Sequence, residues 1–185
     1  LHDLGYATTN LMGDGIGIYN GATRGNDRLL VAGYRLLAYE GVERTIRHLE
    51  GLGDSDQFIF LHTADLHPWP YPLFQITSSV QARLPLTERL SGAEGSTPSP
   101  YLRATPLSAA ACIQGIRDLD RALGTLFSYL EQHYTPDEYL VSLYSDHGVP
   151  IFSKHHYIVS PDMTHTAWMM RGAGVPAGIT VSEMT

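Results

Sequence analysis

The chain has 185 residues, of which 43% are hydrophobic and 17% are charged, and its net charge is -7. This length suits one globular core, and the negative charge argues against a nucleic-acid-binding surface. No apolar run reaches the length of a membrane span, no signal-peptide pattern is present, and a single cysteine, Cys112, excludes an internal disulfide.

The sequence of the first half of the chain predicts a helix, a strand and a long surface segment. Apolar residues recur at helical spacing over residues 36–49, and Gly51 and Gly53 then end this helix. The apolar run at residues 57–62 predicts a buried strand. A stretch rich in Pro, Ser and Thr, residues 68–100, is typical of a long excursion over the surface of the same domain.

The second half predicts a long helix and two further strands. The helix spans residues 106–133, with Pro106 in its first turn and Thr105 as a candidate cap. Strands are predicted at residues 139–144 and 166–170. This alternation favours an α/β fold with a largely parallel sheet covered by helices on both faces, and the strand at 139–144 is expected at its centre. The apolar stripe of the helix comprises Ile113, Ile116, Leu119, Leu123, Leu126, Phe127 and Leu130.

The strand at 139–144 runs directly into Ser145-Asp146-His147-Gly148. Side chains at the carboxyl end of a strand face the crevice where α/β proteins bind ligands. A carboxylate and an imidazole side by side offer an oxygen and a nitrogen donor, which suit a divalent metal. The alternative for an isolated Asp-His-Gly is an ordinary polar turn.

Five sequence blocks in a characteristic order resemble the sulfatase family of the alkaline phosphatase superfamily. The resemblance spans nearly the whole chain and implies a metal-dependent hydrolase acting on small-molecule or glycan sulfate or phosphate esters. It also implies a three-layer fold with a large mixed sheet flanked by helices. The blocks are Gly5-Tyr6-Ala7-Thr8, residues 58–61 with His67-Pro68-Trp69-Pro70, residues 118–124, residues 145–148 and residues 170–176.

The resemblance assigns roles to four residues, and a fifth is a candidate through its position beside one of them. Asp146 and His147 match the late pair of metal ligands in the family, with Ca²⁺ the first expectation and Mg²⁺ or Mn²⁺ the alternatives. His67 and Lys154 match catalytic residues that contact the oxygens of the substrate anion. His155 directly follows Lys154 and is a further candidate for substrate binding. For His67, Lys154 and His155, a purely structural or solvated role is the alternative.

The sequence departs from the family pattern in two places. The first acidic metal ligands and the nucleophile motif of the family do not occur before Gly5, and Cys112 is better interpreted as a small buried thiol on a helix. Asp14 and Ile16 stand where sulfatases usually carry a lysine and a histidine. We therefore expect residues 1–185 to be a partial domain that lacks the nucleophile segment and the C-terminal end and is inactive alone.

The sequence leaves three functions open. The first is a sulfuric ester hydrolase, and the second is a phosphoric ester hydrolase or phosphoryl-type transferase of the same superfamily. The third is a catalytically inactive binding domain with the sulfatase fold. The identity of the absent nucleophile would separate them. The residues leave the cellular location open, and an extracytoplasmic one is compatible with the resemblance alone.

Overall fold

A computed structural model of the protein describes residues 1–12, 24–31, 37, 41–63, 65–66, 106–148 and 164–182. No helix in these ranges is long and apolar enough to cross a membrane. After a single 3-10 turn, the elements are β1 Ala7–Met12, β2 Arg28–Val31, α1 Val42–Leu52, β3 Gln57–His62, α2 Pro106–His133, β4 Leu140–Tyr144 and β5 Trp168–Gly172.

The mixed α/β fold and most of its elements agree with the sequence predictions. β3 and α2 have the predicted bounds, and β4 begins one residue later than predicted. β5 begins at Trp168, two residues after the predicted start. α1 begins at Val42 and ends at Leu52, so both of its ends lie later than those of the helix predicted over residues 36–49, and Gly51 lies within it. Gly53 caps its end with a positive φ of 57°, which a glycine adopts without strain. The excursion at 68–100 and the candidate cap Thr105 lie outside the described residues.

β1 and β2 are strands that the sequence analysis missed. β1 pairs in parallel with β2 on one side and β3 on the other, and its register sets Met12 beside Val31 and His62. The three strands therefore end at one edge of the sheet, which we call the carboxyl edge. Ligands bind at such edges in α/β proteins. The last residues of the three strands at this edge are Met12, Val31 and His62.

Polar side chains fill the middle of β1, which explains why hydropathy did not reveal this strand. Thr9 and Asn10 are fully buried, and Thr8 is nearly so. Buried polar groups need hydrogen-bond partners. The Thr8 hydroxyl donates to Asp27 Oδ2 over 2.8 Å, and Asp27 thereby ties the start of β2 to β1. Thr9 Oγ1 lies 2.9 Å from Nε2 of His48, which joins α1 to the sheet.

The hydrophobic core lies against α2. Its buried members come from the carboxyl half of α2 and from the region of α1, and Leu61 of β3 and Val141 of β4 pack against them. Burying a leucine side chain contributes about 1.5–3 kcal/mol, so this cluster fixes both sheets on the same helix. The buried members are Leu37, Val42, Ala122, Leu126 and Leu130.

The amino half of α2 is buried through a different face from the predicted stripe. Ile113 and Ile116 are 45% and 51% exposed, whereas Ala111 and Cys112 are buried. The buried residues continue along the helix at spacings of three and four through Asp118. The small side chains of Ala111 and Cys112 permit close packing on the buried face of α2. The prediction from hydrophobicity alone was therefore wrong about which face of this half of the helix is buried.

β4 and β5 form an antiparallel pair, separate from the parallel sheet. Within the described residues β4 pairs with β5 alone, so the predicted central position of β4 is not seen there. The pair closes tightly at Gly172, where an added Cβ would lie 2.0 Å from the carbonyl oxygen of Tyr139. Glycine with a φ of 120° is therefore required at this position.

We expect stability to depend on pH through His48. Burial, with a smaller effect of nearby Arg28, lowers the pKa of His48 below its usual value of 6.5. Because the unfolded chain then binds this proton more tightly than the native one, the stabilising contribution is complete above pH about 6.5 and is lost as pH falls from there through the folded-state pKa. Urea unfolding at several pH values should show this decline in the free energy of unfolding, and His48→Gln should reduce it. Equal pH slopes in both proteins would contradict the assignment.

Candidate metal and anion site

Asp146 and His147 lie immediately beyond β4. The last strand residue is Tyr144, and the amide of Ser145 still donates to the carbonyl oxygen of Ala167, over 3.2 Å. The hydrogen bonding between the two antiparallel strands thus extends to Ser145, the residue before Asp146. The side chain of Asp146 is 77% exposed and that of His147 is 39% exposed. Both groups are accessible to an ion or ligand.

Local hydrogen bonds orient this pair. The amide of His147 donates to Asp146 Oδ1 over 2.9 Å. Nδ1 of His147 lies 2.8 Å from the carbonyl oxygen of Gly148. Because a carbonyl oxygen only accepts, this contact places the proton of a neutral imidazole on Nδ1 and the lone pair on Nε2. Histidines that bind metals are commonly fixed by such a bond from the other ring nitrogen.

The geometry of the pair fits one divalent ion. Oδ2 of Asp146 and Nε2 of His147 are 3.6 Å apart. Ligand distances of about 2.0–2.5 Å allow a single cation to contact two donors at this separation. The carboxylate supplies negative charge, and the imidazole supplies a neutral nitrogen donor.

Asp146 and His147 alone would not complete the coordination shell of a divalent ion. In the part of the chain that the structure describes, no three His, Cys, Asp or Glu residues are grouped so that they could hold a metal. A hard cation such as Ca²⁺ takes about six to eight oxygen ligands. Further donors are therefore needed for tight binding.

The other predicted site residues lie outside the described residues. These are His67, Lys154 and His155, together with the divergent positions Asp14 and Ile16. Their roles remain predictions from the resemblance. The structure does show that β3 leads out of the carboxyl edge toward His67 in the sequence, with Thr63, Asp65 and Leu66 described on the way.

Cys112 has the environment of a structural thiol. It is 7% exposed on α2, and burial raises its pKa to about 11. A thiolate is the reactive form of cysteine, and this pKa keeps the group protonated at neutral pH. The interpretation of Cys112 as a buried core residue agrees with the structure.

Asp65 is a buried acidic residue that the sequence analysis did not select. It is 1% exposed and lies three residues beyond β3, two residues before His67. Its Oδ2 accepts a hydrogen bond of 2.7 Å from the amide of Leu37. The available signal was a Thr-x-Asp sequence directly after a predicted buried strand, a pattern in which short polar side chains bond to nearby backbone.

Comparisons with known proteins agree with this architecture. The fold is similar to that of the lipoteichoic acid synthase LtaP from Listeria monocytogenes, with a TM-score of 0.61 and 13% identity, covering 94% of this chain and 45% of that one. It is also similar to an alkaline phosphatase superfamily protein from Vibrio parahaemolyticus, with a TM-score of 0.51, 18% identity, and coverage of 94% and 40%. The chain thus spans less than half the length of either structure.

The sequence comparisons identify the family. No curated protein matches the sequence significantly. The sulfatase family model matches residues 35–183, which is about four fifths of the chain. This match includes α1, α2, β4 and β5 and the Asp146–His147 pair. Because the model covers most of the sequence and the fold is that of alkaline phosphatase superfamily members, the chain belongs to the sulfatase family.

Proposed function

We propose that the complete protein is a metal-dependent enzyme that cleaves a sulfate or phosphate ester, and that Asp146 and His147 supply part of its metal site. The observation that carries this proposal is the arrangement of the pair, with Oδ2 and Nε2 3.6 Å apart and Nδ1 bonded to Gly148. Membership of the sulfatase family supports the reaction class. Ca²⁺ is our first candidate for the ion, and Mg²⁺ or Mn²⁺ are the alternatives.

Each proposed residue has a defined task. A bound divalent ion would supply Lewis-acid stabilisation of the ester oxygens. Asp146 would balance the charge of the ion, and His147 would present Nε2 because Gly148 holds its Nδ1 proton. Lys154 and His67 are proposed to donate hydrogen bonds to the anion as negative charge develops, with His155 as an additional substrate contact. The nucleophile is proposed to come from outside these 185 residues.

Sulfate-ester hydrolysis is the first specific candidate because the sulfatase model matches the chain. One observation counts against sulfate esters and keeps the alternatives open. Asp14 and Ile16 replace the lysine and histidine that the family resemblance leads us to expect. An acidic residue in place of a cation weakens anion binding at that point. The replacement therefore fits either a different ester specificity, with a phosphate ester hydrolysed or transferred to an acceptor, or a domain that has lost activity.

The test is an ester-cleavage assay on the complete protein with p-nitrophenyl sulfate and p-nitrophenyl phosphate. We expect turnover of one ester, loss of this turnover after EDTA treatment, and recovery on adding Ca²⁺, Mg²⁺ or Mn²⁺. The preferred ester decides between the first two candidates. Turnover that EDTA does not change would contradict a metal site. A protein that cleaves neither ester under any metal condition would support the third possibility, an inactive binding domain.

A further inference from the structure

The chain leaving β3 at the carboxyl edge is fixed by one buried carboxylate. Asp65 is 1% exposed, although carboxylates are rarely buried without compensating hydrogen bonds. Its Oδ2 accepts from the Leu37 amide over 2.7 Å and from the Thr63 hydroxyl. The amide of Asp65 in turn donates to the hydroxyl oxygen of Thr63 over 3.3 Å. Thr63 and Asp65 therefore close a small reciprocal turn directly after the strand.

The contact with Leu37 joins this turn to the hydrophobic core. Leu37 precedes Asp65 by 28 residues, is 3% exposed, and belongs to the core cluster packed against α2. A directional bond from a core backbone amide leaves Asp65 little freedom to move. The adjacent Leu66, which directly precedes His67 in the sequence, is by contrast 38% exposed.

We propose that Asp65 is a positioning residue that fixes the backbone from which His67 follows, so that the imidazole is held for anion recognition. This inference rests on the role assigned to His67 in the proposed function. Asp65 itself does not contact substrate in this proposal. It acts by linking the end of β3 to the core through Leu37, and a misplacement of about 1 Å in a catalytic group can reduce the rate about a hundredfold.

A double-mutant cycle on kcat in the complete protein tests this role, with whichever p-nitrophenyl ester is turned over as the probe. Asp65→Ala removes both accepted bonds, whereas Asp65→Asn keeps one carbonyl oxygen that can accept them. Asp118→Ala is the matched control, because Asp118 is also a buried aspartate, bonded to Gln114 and Arg121 on α2. Rates are corrected for the folded fraction of each variant.

We expect Asp65→Ala to lower kcat on the order of tenfold to a hundredfold, Asp65→Asn to recover most of the rate, and Asp118→Ala to change it little. In a His67→Ala background, Asp65→Ala should cause no further loss, because the residue through which it acts is gone. A merely structural role would instead multiply the two losses. If Asp65→Ala does not fold, Thr63→Val takes its place in the cycle.

Two separate results would overturn the inference. If His67→Ala lowers kcat but Asp65→Ala matches the Asp118→Ala control, or the losses multiply, Asp65 does not position His67 and the proposed function is unaffected. If His67→Ala leaves kcat unchanged, the anion-binding role of His67 is wrong, and the inference fails with it.

Discussion

Replacing Asp146 by Ala in the complete protein is expected to reduce kcat/KM for ester cleavage at least about a hundredfold to a thousandfold, corresponding to ~3–4 kcal/mol of lost transition-state stabilisation. The substitution removes the Oδ2 donor that lies 3.6 Å from Nε2 of His147. It also removes the acceptor of the His147 amide, so the remaining ligand loses orientation. Both effects weaken metal binding, and excess metal in the assay should recover part of the rate.

Asp137→Ala is the control for this experiment. Asp137 is an exposed aspartate in the turn that precedes β4, close in sequence but outside the proposed site. It should retain the wild-type rate and the same response to metal concentration. An Asp146→Ala protein that remains folded and as active as Asp137→Ala would show that Asp146 is no metal ligand.

Lys154→Ala is expected to slow ester cleavage by about 30-fold to 1000-fold, equivalent to ~2–4 kcal/mol, as for the loss of one donor from an oxyanion site. Lys154 is the single lysine of the chain. Its proposed ammonium group would balance the charge that develops on the ester oxygens. Because the interaction strengthens in the transition state, kcat should fall more than KM rises.

One further variant separates charge from packing at Lys154, and a second variant elsewhere is its control. Lys154→Arg keeps the positive charge and should retain more activity than Lys154→Ala, although the guanidinium differs in shape. Arg117→Ala removes an exposed cation from α2 and should leave the rate unchanged. Equal rates for wild type and Lys154→Ala on both esters would reject the anion-binding role.

The sequence predicted those elements whose side chains follow simple hydropathy. The run at 57–62 is β3, and the periodic pattern at 106–133 is α2 with the predicted bounds. β1 was missed because its central residues, Thr8, Thr9 and Asn10, are polar and yet buried. Their burial depends on partners far along the chain, such as Asp27 and His48, which no local pattern reveals.

At the candidate site, too, the sequence predicted what depends on neighbouring residues but not what depends on contacts between distant ones. Asp146 and His147 are adjacent in sequence and come just after Ser145, so the strand prediction was sufficient to place them beyond the carboxyl end of β4. The tautomer of neutral His147 depends on the contact of its Nδ1 with the carbonyl oxygen of Gly148, which the sequence does not show. Asp65 was missed because its importance comes from a bond to Leu37, 28 residues earlier. Long-range contacts of this kind are not encoded in the spacing of nearby residues.

Ca²⁺ titration calorimetry on the complete, metal-stripped protein measures whether Asp146 and His147 bind a divalent ion together. Because both residues would contact the same ion, Asp146→Ala and His147→Ala should each strongly weaken the affinity for Ca²⁺. The double variant should bind Ca²⁺ no better than either single variant. Asp137→Ala should bind as wild type does, and Mg²⁺ and Mn²⁺ titrations extend the test to the alternative ions. We expect one bound ion, whose affinity depends on both residues. Unchanged affinity and stoichiometry for all three ions in the double variant would contradict it.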